Sequence, residues 1–128
     1  MTEAELKRRT KQFALRVLRL VGALPRTIEA RAIGSQLVRS ATSVGANYRA
    51  ACRGRSKAEF IAKLGTVEEE ADESAYWMEL VIEGGLLQKP RVDSLHREAC
   101  ELTAIMAASR ISASKSLIAN RNSKIANG

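Results

Sequence analysis

The chain has 128 residues, 45% of them apolar but only 4% aromatic, and a formal net charge of +7. A chain of this length forms one domain with a core of its own, and so few aromatics call for an aliphatic, alanine-rich core, which suits close-packed helices better than a β-sandwich. No run approaches the roughly 18 uncharged apolar residues of a membrane-spanning helix, and the opening Met1-Thr-Glu-Ala-Glu lacks the basic-then-apolar pattern of a secretory signal, so a cytoplasmic protein without membrane contact is expected.

Thr2-Glu-Ala-Glu5 fits a capping box and predicts a first helix over about 3–23. Its inward seam is Leu6, Thr10, Phe13, Val17, Leu20 and Leu24, in alternating steps of four and three, and its outer face carries Arg8, Arg9, Arg16 and further cations. Pro25, one of only two prolines, breaks this helix.

The second helix is predicted over about 28–53, with a seam of Ile33, Leu37, Ser40, Val44, Asn47 and Ala51. Two inward positions are polar, and a buried polar group without a partner costs roughly 1–3 kcal/mol. A parallel stripe, Gly34, Val38, Ala41, Gly45, Tyr48 and Cys52, is rich in small residues that let another backbone come close. Gly54 then suits a left-handed helix stop.

Ser56-Lys-Ala-Glu59 is a second capping box and opens a third helix over about 57–83, ended by Gly84-Gly85. Its seam runs unbroken through Phe60, Leu64, Val67, Ala71, Ser74, Met78 and Val81. Pro90 suits the first turn of a fourth helix over about 90–119, which leaves residues 120–128 as a polar, fraying tail. The fold class is therefore all-α: an up-down-up-down four-helix bundle over residues 1–119.

Charge is unevenly spread. Residues 1–63 hold 14 Lys/Arg and 4 Asp/Glu, residues 64–105 hold 3 and 10, and residues 106–128 hold 4 and none. The segments thus carry +10, −7 and +4, and Arg49, Arg53, Arg55 and Lys57 crowd the turn between the second and third helices. Basic surface of this kind attracts polyanions by contact with phosphates, without reading sequence. An acidic helix among basic ones also invites pairing between subunits.

The inventory for chemistry is thin. A di-iron bundle needs paired Glu-x-x-His motifs, but the chain has one histidine, His96, in an Asp-x-x-His pattern. Cys52 and Cys100 follow no metal spacing and read as reduced thiols. His96 lies four residues before Cys100, which alone does not make a nucleophile. No phosphate-binding glycine loop is present. No metal, cofactor or enzymatic activity is expected. The polar residues Arg39, Ser40, Ser43, Asn47, Glu70 and Glu73 are read as a seam that fixes helix register, with Glu70 meeting Ser40, Ser43 or Arg39 and Asn47 reaching toward 56–63.

Three stretches resemble a known family: Gln36-Leu-Val-Arg-Ser-Ala-Thr-Ser-Val-Gly-Ala-Asn47-Tyr-Arg-Ala-Ala, Arg55-Ser-Lys-Ala-Glu-Phe-Ile-Ala-Lys63 and Val67-Glu-Glu-Glu-Ala-Asp-Glu-Ser-Ala-Tyr-Trp-Met-Glu-Leu80. Together with Pro25 they look like the signature of the 23S rRNA intervening-sequence proteins. The resemblance covers about residues 10–110, with Arg39, Ser40, Ser43, Asn47, Ser56, Phe60, Glu70 and Glu73 on the matching positions; the segment Cys52-Arg-Gly54 departs from it. It implies a four-helix bundle assembled as a ring-like homopentamer, with no established enzymatic activity. It also implies likeness to the accessory protein of diversity-generating retroelements, a basic pentamer that engages a reverse transcriptase and nucleic acid. Two roles follow as expectations: an oligomeric adaptor that binds nucleic acid through Arg8, Arg9, Arg16, Arg49, Arg53, Arg55 and Lys57, or a scaffold that recruits a protein partner without touching nucleic acid.

Overall fold

The computed structural model describes residues 1–127, which form four helices and no strand: α1 (Glu3–Gly22), α2 (Ile28–Cys52), α3 (Lys57–Glu83) and α4 (Lys89–Asn127). Hydroxyl side chains start the first three. The Thr2 hydroxyl accepts from the Glu5 amide at 3.1 Å, and the Glu5 carboxylate accepts from the Thr2 amide at 2.9 Å, closing the expected box. Thr27 caps α2 through the Ala30 amide. Ser56 caps α3 through the Glu59 amide, but the Glu59 carboxylate reaches past it to the Arg55 amide at 2.6 Å, so this box closes one residue early.

The helix ends differ from expectation in two places. Gly54 does not adopt the left-handed conformation; the one positive-φ residue among the described residues is Gly85, at 69°. A side chain at Gly54 would instead place a Cβ 3.0 Å from the Ala51 carbonyl oxygen and 3.3 Å from the Phe60 amide nitrogen, so the glycine makes room for a tight corner. At Gly85 the Leu86 amide donates to Val81 and the Gly85 amide to Ile82, a complete Schellman closure of α3. The second difference is α4, which passes the stop expected near Ala119 and stays helical to Asn127. No proline or glycine interrupts residues 91–127, so nothing in the chain stops the helix. Gly128, the last residue of the expected tail, lies outside the described residues.

Successive helices run antiparallel. Each of α1 and α3 packs on both α2 and α4, whereas α1 and α3, and α2 and α4, lie diagonally with no Cα pair within 8 Å. The seams predicted from four-three spacing meet at the centre, where Phe13, Leu37, Leu64, Met78, Leu102 and Met106 are the largest fully buried side chains. Three polar residues are buried with them, Thr10, Ser40 and Ser74. Thr10 donates to the Leu6 carbonyl at 2.8 Å. Ser40 and Ser74 meet each other across α2 and α3 at 2.9 Å, with the Leu37 and Glu70 carbonyls in reach as further acceptors. Among the described residues, no buried side-chain polar atom lacks a partner.

The small-residue stripe of α2 faces α1. Gly45 sits against Thr10, where a Cβ would lie 3.3 Å from Oγ1, and Gly34 sits against Val21 and Leu24. On its other flank α1 is tied to α4 by Arg9. The Arg9 guanidinium grips Glu98 with two bonds, Nε to Oε2 at 2.8 Å and Nη2 to Oε1 at 2.7 Å, and holds Glu101 at 2.6 Å. Two-pronged pairs of this kind are the strong ones.

Three stability outcomes follow, each readable by urea unfolding. Ser40→Ala and Ser74→Ala should each cost about 1 kcal/mol, and the double variant less than their sum, because the shared bond is lost once. Full additivity would show that the two hydroxyls act independently. Gly45→Leu should cost about 1–3 kcal/mol by forcing α1 away from α2; an unchanged midpoint would mean that this close approach is not needed. Arg9→Met should destabilise by about 1–3 kcal/mol, since Glu98 is left half-buried and unpaired.

Candidate nucleic-acid interface

The end of the bundle that carries the α2–α3 turn is the most basic part of the surface. Arg49 and Arg53 are exposed one turn apart on the last turns of α2, and Arg55 and Lys57 follow across the corner. The side chains of Arg49, Arg53 and Arg55 make no hydrogen bond or ion pair with the described residues. Lys57 Nζ donates to the neutral Ser116 hydroxyl at 2.7 Å, so its charge stays uncompensated.

That same bond shows where α4 goes. Since Ser116 stands level with the start of α3, residues 117–127 project beyond the turn by about 16 Å. This overhang carries Arg121 and Lys124, with Lys115 just below it, and no acidic residue follows Glu101. Sequence reasoning placed a frayed tail here and did not join these cations to the turn. The signal that could have found them is the lack of any helix stop after Pro90 in a segment free of acids.

The acids at this end are already engaged. Glu3 pairs with Lys7 at 3.1 Å, Glu5 closes the α1 cap and Glu59 closes the α3 cap. A hydrogen bond from Lys7 holds the Glu3 carboxyl below the usual carboxylate range. Between α1 and the turn lies an open groove of about 470 Å³, lined by Glu3, Tyr48, Cys52, Arg55, Lys57 and Phe60. Burial pushes the Tyr48 phenol and the Cys52 thiol upward, so both stay neutral at ordinary pH.

Of the remaining predicted residues, two are not free, and the third, Arg8, stands exposed near the start of α1 at this same end. Arg9 is committed to Glu98 and Glu101, and Arg16 donates to Ser94 at 2.9 Å. Both therefore serve the α1–α4 contact. Arg8 is exposed on the outer side of α1.

The polar seam is split between two environments. Ser40 is buried against Ser74. Arg39 bridges Glu70 at 3.2 Å and also contacts Glu73, and Glu73 in turn accepts from the Trp77 indole at 3.2 Å. Ser43 donates to the Arg39 carbonyl and Asn47 to the Ser43 carbonyl, so both bond within α2 rather than across to α3. The geometry explains this: their side chains sit at the edge of the contact, where their own preceding turn is the nearest acceptor.

The single histidine is not arranged as a nucleophilic relay with Cys100. His96 Nε2 lies 2.9 Å from Glu79 and 4.0 Å from Cys100 Sγ. One ring nitrogen thus faces both partners, whereas a relay needs one on each nitrogen. Burial, and then the charges of Glu79 and Asp72, raise the Cys100 thiol, which keeps it protonated. Among the described residues no three His, Cys, Asp or Glu side chains gather as a metal site, and no helix is long and apolar enough to cross a membrane.

Comparison with known proteins agrees with the four-helix fold. A solved structure similar to this chain is a protein of unknown function from the S23 ribosomal protein family of Bacteroides thetaiotaomicron. It superposes with a TM-score of 0.79 at 30% identity, covering 86% of this chain and 98% of that one. No curated protein matches the chain. The sequence profile of the 23S rRNA-intervening sequence proteins matches residues 2–108, which takes in all of α1, α2 and α3 and the buried part of α4, and the chain belongs to that family.

Proposed function

We propose that this protein is a non-enzymatic, homo-oligomeric adaptor that binds the backbone of nucleic acid through the basic end of its bundle. One observation carries the reading. Arg49, Arg53, Arg55 and Lys57 crowd the α2–α3 turn, the passing end of α4 adds Lys115, Arg121 and Lys124, and the acids near the turn are consumed in helix caps and a local pair. Such a surface neutralises phosphates and releases counterions, and it has no built-in means of reading bases. The family, named for sequences that interrupt ribosomal RNA genes, supports nucleic acid as the polyanion. Assembly of several copies, expected as the ring of five that the family resemblance implies, would multiply the contacts and raise avidity.

The reading is tested by fluorescence anisotropy with a labelled RNA hairpin and a labelled single strand across a salt series. Wild-type binding should weaken steeply with salt. The triple variant Arg49→Ala/Arg53→Ala/Arg55→Ala should bind more weakly at every salt and lower the slope of log K against log salt by about 2–3. Unchanged affinity in the triple variant would discard this surface. Absence of wild-type binding at low salt would instead favour a scaffold whose partner is a protein.

A further inference from the structure

Two helix faces are left without partners, and they match. On α1 the outer face shows Arg8, Lys11, Leu15, Leu18 and Arg19, all exposed, with Leu15 at 38% and Leu18 at 46%. On α3 it shows Glu69, Asp72, Tyr76, Glu79 and Glu83, with Tyr76 exposed to 52% and leaning edge-on against Trp77 at 5.2 Å. Of the charged residues on these two faces, Glu79 alone has a partner, His96.

The two faces share a period. Arg8 and Leu15 are seven residues apart, as are Lys11 and Leu18; Glu69, Tyr76 and Glu83 repeat at seven, as do Asp72 and Glu79. A seven-residue repeat is the spacing at which two helices stay in contact side by side. Cations precede the leucines on one helix as carboxylates precede the tyrosine on the other.

Their heights also agree. Thr10 lies against Gly45, and Ser40 bonds Ser74 in the antiparallel α2–α3 pair, which puts Thr10 level with about Glu69. Setting Arg8 beside Glu69 therefore needs an axial shift of only about 3 Å. In that register Lys11 faces Asp72, Leu15 faces Tyr76 and Arg19 falls near Glu79 and Glu83.

One chain cannot satisfy this match, because α1 and α3 stand at opposite corners of the bundle with these faces turned outward. The geometry points to a head-to-tail interface in which the outer face of α1 docks, parallel, on the outer face of α3 of a second copy. The partner surface differs from the donor surface, so the contact is heterologous, of the kind that forms a ring when the rotation between copies closes. This interface rests on the self-assembly within the proposed function and leaves the cations of the α2–α3 turn uncovered.

Charge reversal tests it. Glu69→Lys/Asp72→Lys and Arg8→Glu/Lys11→Glu are made separately and combined in one chain, and mass is followed by sedimentation and light scattering with helicity checked by circular dichroism. Each separate pair should keep its helicity and weaken assembly at least about a hundredfold, moving the mass toward the 14.0 kDa monomer. The combined variant should regain the wild-type mass. Tyr76→Ser, which alters no charge, should also weaken assembly. Wild-type protein that runs as a monomer would overturn the self-assembly reading and this interface with it. An assembled wild type whose reversed variants stay assembled, or whose combined variant fails to recover, would overturn the pairing of these two faces alone.

Discussion

The hydroxyls of Ser40 and Ser74 meet in the middle of the bundle at 2.9 Å, fully buried. Apolar burial holds α2 and α3 together but is indifferent to a slide along their axes, since one leucine contact resembles the next. Two hydroxyls that must bond each other, or one of their own carbonyls, are not indifferent. Their meeting fixes the height of α3 against α2. At the rim of the same contact, Arg39 repeats the constraint by bridging Glu70 and Glu73. Once that height is set, the Gly54 corner, the level of the basic turn and the position of the α3 acidic face follow from helix geometry.

A second constraint comes from backbone distance. Gly34 and Gly45 leave α1 nowhere to rest but close against α2, with Thr10 bonded back into its own turn so that it can fill the gap without an unpaired hydroxyl. The Arg9 grip on Glu98 and Glu101 then fixes α1 against α4. Opposite charges within the chain are therefore used selectively. Arg9, Arg39 and Arg110 neutralise acids of α3 and α4, while the cations at the α2–α3 turn pair with no acid among the described residues.

Much of this was legible in the sequence. The four-three spacing gave α1, α2 and α3 almost to the residue, and the buried polar positions Thr10, Ser40 and Ser74 stood on those seams. Thr2 and Ser56 marked helix starts because a cap is a local event, decided within a few residues. What was not legible depends on neighbours distant in the chain. Composition does not show that Arg9 meets Glu98 while Arg49 meets nothing, so a list of cations overstates the surface open to phosphate. Asn47 and Ser43 stand on or beside the seam by spacing, yet their nearest acceptors lie in their own helix. The end of α4 is not legible from polarity, because polar residues alone do not stop a helix.

The projecting part of α4 has a thermodynamic character unlike the rest. Residues 118–126 are all exposed, and an isolated helix of this length is marginal in water. Its backbone hydrogen bonds therefore open at little free-energy cost, while those of α2 and α3 open only with the whole bundle. A polyanion that engages Arg121 and Lys124 would have to hold the helix closed as well as neutralise it, and that ordering draws down part of the favourable contact energy. In such a complex the overhang would trade affinity for compliance, following the curve of an irregular backbone that a rigid bundle end could meet at only one angle.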